Sequence, residues 1–247
     1  MLTPALILAL SLAAKPVVVL DPGHGGDQHG ASSPDGIQEK AFALALATRV
    51  KAALEKEVGV EARLTRSADV KLKLADRVDW ANQQKPVLFV SLHANSMPTR
   101  RGRESTQGIE TYFLSAKVSG ERARTVAARE NAEVGPVKKA GNDPLAHILA
   151  DLQRTEAHQD SSRAAYAVHE ALVADSGAQD RGVQQAPFYV LMGLEAPAIL
   201  CEVGYISHPE EGIKLSLDAY QDLLAKAITR GVKDFLTQVQ ARDGKPR

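Results

Sequence analysis

At 247 residues and 44% hydrophobic content, the chain has enough apolar material for one sizeable core, and no Pro/Ser-rich linker, low-complexity run or internal repeat divides it. Lys+Arg and Asp+Glu are equal at 30 each, which removes the general case for nucleic acid or anionic lipid as a partner. Cys201 is the single cysteine, so an intramolecular disulfide framework and any multi-cysteine metal site are excluded.

The chain opens on an apolar run, Pro4 to Ala14, of signal-peptide length and too short to span a bilayer as a helix. Ser11-Leu12-Ala13 has the small-x-small pattern of a cleavage site, although no lysine or arginine precedes the run. The expectation is a signal peptide over residues 1–14; the alternative is a buried element of the fold. Val17 to Leu20 then reads as a short buried strand, which Asp21-Pro22-Gly23 stops, because proline cannot donate to a ladder and glycine tolerates the turn. His24 follows, flanked by Gly23, Gly25 and Gly26, so that no neighbouring side chain crowds its ring.

Residues 27–36 are polar and form a loop. A helix is expected over about 39–57, since Phe42, Leu46, Val50 and Leu54 recur every fourth residue. Glu39 lies in its first turn, one turn before Phe42. It therefore points toward the buried side, or else simply complements the helix dipole. A strand over 58–64 ends at Thr65-Arg66-Ser67. Leu72, Leu74, Val78 and Trp80 suggest a helix with Arg77 and Asp79 on its polar side. Residues 86–95 repeat the opening pattern, an apolar strand that delivers His93 at its end. Residues 108–114 alternate enough for another strand, near an edge.

A charged helix with a thin apolar face is expected over 116–133, a loop over 135–144, and helices over 145–152 and 162–173. Phe188 to Leu191 reads as a strand. Residues 198–203 form the last strong strand and carry Glu202 near its end. A terminal helix over 217–239 has Tyr220, Leu224, Ala227, Ile228 and Phe235 as its inner face, and residues 242–247 look frayed. Strands alternating with helices predict a single α/β domain, a mostly parallel twisted sheet of about six strands with helices on both faces. In such sheets ligand groups gather at the carboxyl ends of strands. Three strands here end in His24, His93 and Glu202, and one helix starts with Glu39.

Two neutral imidazoles and a carboxylate make a common catalytic zinc set, with the fourth position left to water. Zinc lowers the pKa of that water to about 7 and polarises a carbonyl. A second carboxylate outside the metal shell then serves as general base, and later as acid to a leaving amine. His24, Glu39 and His93 fit the ligands and Glu202 fits the base. His-Glu-x-x-His does not occur, so a helix-borne zincin site is excluded.

The motifs carry a resemblance. Val-Leu-Asp-Pro-Gly-His-Gly-Gly at 19–26, Glu39-Lys40, Leu64-Thr65-Arg66 and the Leu74/Arg77/Ala81-Asn82 segment come first. Ser91-Leu92-His93-Ala94-Asn95-Ser96, Gly108-Ile109-Glu110-Thr111-Tyr112, Glu130-Asn131-Ala132 and the segment from Glu202 to Glu211 complete them. Together they resemble the zinc-dependent N-acetylmuramoyl-L-alanine amidases of the Amidase_3 type, bacterial cell-wall hydrolases, from Lys15 to about Val239. The resemblance implies one zinc ion per chain, held by His24, Glu39 and His93, with Glu202 catalytic. It implies cleavage of the amide between N-acetylmuramic acid and L-alanine of the peptidoglycan stem peptide. It also implies a catalytic domain over 15–241, a tail over 242–247, and a periplasmic or extracellular location at the cell wall. No nucleic acid partner and no transmembrane span of the mature chain are expected.

Other readings stay beside it: a zinc carboxypeptidase or other amidohydrolase on a related scaffold, a murein-binding protein with a dead site, or an enzyme that lyses the wall from inside a mother cell. The family usually has asparagine where this chain has His208, which either tunes Glu202 or, the favoured reading, caps a turn. His29 is expected in solvent, and His147, His158 and His169 match no ligand position. Asn95 and Arg66 are candidates for substrate contact, against a turn asparagine and a structural ion pair; Arg77 carries the same pair of readings. Cys201 alternates with Glu202 and should face the opposite side as a small buried group. Division-associated members carry a helical segment that blocks the zinc site until a protein activator binds. The corresponding interval here, 133–150, contains Gly135, Pro136, Gly141 and Pro144 and can hold at most a short helix. An acid such as Glu130 or Glu133 reaching the metal is the less favoured alternative.

Overall fold

A computed structural model describes residues 15–132 and 156–244. The apolar runs form a six-stranded sheet: β1 (Val17–Pro22), β2 (Glu61–Leu64), β3 (Leu88–Asn95), β4 (Ile109–Leu114), β5 (Asp180–Ala186) and β6 (Ala198–Tyr205). Spatially the order is β2-β1-β3-β6-β4-β5. The pairs β1–β2, β1–β3, β3–β6 and β4–β5 are parallel, and β4–β6 alone is antiparallel. Among the described residues seven helices accompany the strands: α1 (Glu39–Glu57), α2 (Leu74–Gln83), α3 (Arg100–Ser105), α4 (Glu121–Glu130), α5 (Glu156–Ser176), α6 (Pro209–Ser216) and α7 (Asp218–Asp243). The α/β layering expected from the alternation of elements is what forms. No helix among the described residues is long and apolar enough to cross a membrane.

Strand side chains alternate, and the sheet is buried on both faces. Val18, Leu20, Leu88, Val90, Leu92, Ile199, Cys201 and Val203 pack against α1, α5 and α7. Val19, Phe89, Tyr112 and Leu200 pack on the other face with α2, α4 and the 3₁₀ turn Tyr189–Leu191. By the same alternation Asp21, Ser91, His93, Glu110 and Glu202 project on the α2–α4 face. Cys201 is fully buried on the side opposite Glu202, as expected.

The structure corrects three sequence readings. Phe188 to Leu191 is not a strand but a 3₁₀ turn. The strand in that region is β5, the sheet's edge, whose residues Asp-Arg-Gly-Val-Gln-Gln-Ala lack an apolar pattern. As expected, β4 lies near the edge, next to β5. Arg77 is not on a polar face but 1% exposed, turned inward by its ion pair with Asp21. The expected signal segment, the 145–152 helix, Glu133 and His147 lie outside the described residues.

Candidate metal centre

Asp21 is the floor of the site. Its buried carboxylate accepts from Thr65 Oγ1 (2.6 Å), Ser91 Oγ (2.9 Å) and Arg77 Nη1 (2.8 Å). Burial alone would push its pKa up, but the Arg77 guanidinium and these hydrogen bonds hold it below the usual carboxylate value. Arg77 also donates to the carbonyls of Pro22 (2.8 Å) and His24 (2.7 Å). Arg66 is buried beside it and donates to four carbonyls, those of Pro22, Gly23, Lys40 and Ala68. Two arginines thus grip the loop in which His24 takes a left-handed φ of 59°, followed by Gly25 and Gly26 at 133° and 60°. The ordinary preference for right-handed backbone is overruled here by carbonyls that already have donors.

Above this floor four side chains converge. One donor atom from each of His24, Glu39, His93 and Glu130 lies within 4.8 Å of the others. Glu39 Oε1 is 3.1 Å from both His24 Nε2 and His93 Nδ1. Backbone amides fix its carboxylate: Ala94 N donates to Oε1 (3.1 Å) and Ala31 N to Oε2 (2.9 Å). The first-turn acid does point inward, 1% exposed. Glu130 Oε2 stands 3.1 Å from His93 Nδ1 and 3.4 Å from His24 Nε2. The two rings meet edge-on, 5.0 Å between centroids. A cleft of about 370 Å³ opens on the cluster.

Charge behaves as expected for crowded carboxylates and imidazoles. Burial would raise the Glu39 pKa, but His24 and His93 hold it well below the ordinary value. Glu130 is likewise lowered to about 2 against its burial, chiefly by His93 and Arg129. Burial would lower His93, yet Glu130 and Glu39 hold it well above the ordinary imidazole value. Glu202 is fully buried and directly paired with His93 across β3–β6. Its Oε1 accepts from Arg129 Nη2 (3.0 Å), while Oε2 has no partner among the described residues. Burial, with Glu130 and Glu39 adding to it, carries its pKa well above the usual carboxylate range despite Arg129.

A donor set of two imidazoles and carboxylates suits zinc. The observation that fits the set to a cation is His24 Nε2. It is buried and close to two carboxylate oxygens, yet makes a hydrogen bond to neither.

His24, Glu39, His93 and Glu202 are therefore brought together as expected. Glu130 joins them, against the sequence reading. It occupies the last position of α4, and only the way that helix lies across the sheet brings it in. The two candidates for substrate contact stand elsewhere. Arg66 is 3% exposed and engaged by backbone carbonyls. Asn95 is 1% exposed, donating to Glu110 Oε2 (3.0 Å) and accepting from Ser96 N (2.8 Å) and Arg129 Nη1 (2.9 Å). Both are tied to protein groups rather than free for a ligand. His208 caps α6, accepting at Nδ1 from Glu210 N and Glu211 N (both 3.2 Å). His29 is exposed. His169 is buried between Thr111 and Asp180, and His158 tilts against Phe113.

The family model for N-acetylmuramoyl-L-alanine amidase matches residues 18–234. The chain is 35% identical to the N-acetylmuramoyl-L-alanine amidase AmiA of Escherichia coli K12 over 225 residues, covering 90% of this chain and 76% of that protein. It is 33% identical to AmiC of an E. coli O6:H1 strain over 222 residues, covering 89% of this chain and 52% of AmiC. The chain thus spans about half the length of AmiC and about three quarters of AmiA. Among solved structures, the N-acetylmuramoyl-L-alanine amidase from Clostridium difficile 630 superposes with a TM-score of 0.70 at 26% identity, covering 95% of this chain and 100% of that one.

Proposed function

Because the chain belongs to the N-acetylmuramoyl-L-alanine amidase family, we propose that it is a zinc metallo-amidase. In this reading it hydrolyses the amide between N-acetylmuramic acid and L-alanine of peptidoglycan stem peptides. The observation that carries the reading is the convergence of His24, Glu39, His93 and Glu130 at the strand ends, with the buried Glu202 beside them.

His24, Glu39 and His93 would hold the zinc. The metal supplies Lewis-acid polarisation of the scissile carbonyl and an acidified water at neutral pH. Glu202 is the general base and then the acid. Its free Oε2 takes the proton from the attacking water and returns it to the leaving amine of L-alanine. Its raised pKa suits both halves of that exchange near neutrality. Arg129 holds Oε1 of Glu202 and so aims the other oxygen. The amides of Ala31 and Ala94 hold Glu39 in one orientation.

Four protein donors close the set, whereas catalysis keeps one position open. Glu130 is the removable one: it sits at the end of α4 and outside the family's ligand motifs, and Arg129 Nε anchors its other oxygen at 2.7 Å. We read the described arrangement as a closed state that a protein activator opens by drawing Glu130 away. Export by residues 1–14 and a periplasmic or extracellular site of action belong to the same proposal.

Metal analysis and product identification on purified sacculi test it. Stem peptides with a newly free L-alanine amine support the amidase. Loss of terminal D-residues would support the carboxypeptidase reading instead, and sacculus binding without any product would support a dead site.

A further inference from the structure

Past Glu202 the rim carries two arginines with donors to spare. Glu110 stands directly across from Glu202 in the β4–β6 pairing and is 1% exposed. Its carboxylate accepts from Asn95 Nδ2 (3.0 Å), Tyr112 OH (2.6 Å), Tyr205 OH (3.0 Å) and Arg181 Nε (2.9 Å). That saturates the four acceptor positions of a carboxylate. Arg181 spends Nη1 on the Gln107 carbonyl (3.2 Å), and its Nη2 has no partner among the described residues. Arg122 directs Nη1 to Tyr205 OH (3.2 Å) and, at 3.7 Å, to Glu110 Oε1, and its side chain is 46% exposed. Three acids, Glu110, Asp180 and Glu121, stand beside them in the same cleft. Asp180 Oδ1 accepts from His169 Nε2 and Gly182 N, and Glu121 faces solvent near Arg124. Both arginines line a cleft of about 330 Å³.

Helix α4 contributes residues both to this cleft and to the one at the metal centre. Arg122 and Arg129 lie seven residues apart on α4, and both bend onto β6, Arg122 to Tyr205 and Arg129 to Glu202. Seven residues of helix span about 10 Å. An extended peptide advances about 3.3 Å per residue, so it covers that distance in about three residues. Spare guanidinium donors on a fixed mount suit a carboxylate, which they take in two parallel hydrogen bonds.

We propose that Arg122 and Arg181 form a carboxylate subsite that takes the free carboxylate of a stem-peptide residue two to three positions beyond the scissile amide. The inference rests on the amidase reading and adds a preference: chains whose acid is free are substrates over those in which it is a primary amide.

The test uses the full, metal-loaded chain and two soluble N-acetylmuramoyl tripeptides, one with free carboxylates and one with the same groups amidated. The carboxylate form should be favoured in kcat/KM. In Arg122→Gln the preference should fall roughly tenfold, the expected loss for one charge-assisted hydrogen bond, with the change in KM rather than kcat. Arg122→Lys should keep an intermediate preference. Because Arg122 is half exposed, its substitution should leave the melting temperature unchanged. Equal kcat/KM for the two forms, or equal KM increases for both in Arg122→Gln, would overturn the subsite and leave the amidase reading intact. Titration calorimetry of the uncleavable free tripeptide with the metal-free chain separates the two ideas. Tripeptide binding that weakens in Arg122→Gln supports the subsite even if neither muropeptide is cleaved, an outcome that would end the amidase reading alone.

Discussion

His93 lies flat against Gly23: a Cβ added at Gly23 would sit 2.3 Å from His93 Cε1 and 2.5 Å from Nε2. The glycine is there for the ring, not for its own backbone, since its φ is not in the left-handed region. Gly23→Ala should therefore fold but push His93 out of line with its partners. Zinc affinity should drop by about 10–100-fold, the usual cost of disturbing what holds a ligand. Competition with a chelator measures it, and wild-type affinity in the alanine variant would show that the ring has room to give.

His24 and Glu202 should separate binding from chemistry. His24→Ala removes one of three proposed ligands and should yield protein with little bound metal. Glu202→Ala should keep its metal and lose about 10²–10⁴-fold in turnover, the range for a missing proton-transfer group. Metal content by elemental analysis decides, and metal loss in Glu202→Ala would make that residue a ligand.

Glu130→Ala should retain metal on the remaining three donors and turn over faster than the intact chain. Shortening the chain across 134–143 should raise turnover in the same way. Rates on sacculi are the readout. Loss of metal without any gain in rate would make Glu130 a permanent ligand.

The Asp21–Arg77 pair should dominate stability beneath the site. Both are 1% exposed and bonded at 2.8 Å, so Arg77→Ala strands a buried carboxylate and should cost about 3–5 kcal/mol in urea unfolding. The pKa of Asp21 is lowered in the folded chain, so its contribution is fully present above its ordinary value of 3.8 and drains away as pH falls through the folded value. Asp21→Asn should flatten that acid limb of the stability curve while lowering stability at pH 7.

His208 fills an N-cap role with a ring nitrogen, where asparagine is the commoner choice. His208→Asn should be close to neutral and His208→Ala should cost about 1 kcal/mol. A larger loss of activity than of stability in His208→Ala would instead tie the ring to Glu202.

Much of this was legible in the residues. Apolar runs closed by His24, His93 and Glu202 announce strands that end at one rim, and the four-residue spacing of Phe42 to Leu54 turns Glu39 inward. What was not legible depends on neighbours. The edge strand β5 is polar because only one side of it is paired, so it lacks the apolar signal that inner strands carry. Phe188 to Leu191 is apolar because it packs under α2, not because it is pleated. Arg77 reads as a surface residue until Asp21 is seen beneath it. Glu130 belongs to the Glu130-Asn131-Ala132 motif, but nothing local marks it as a ligand: its arrival depends on where α4 lies.

The reversal of β4 has a consequence for how the chain can vary. Because β4 runs antiparallel to β6, its first residues, not its last, reach the rim, and Glu110 stands level with Glu202. One residue inserted or deleted between Ile109 and Leu114 would turn Glu110 to the opposite face and bring an aliphatic or hydroxyl side chain level with Glu202. Drift in length is thus affordable in the 96–108 connection and ruinous within the six residues that follow it.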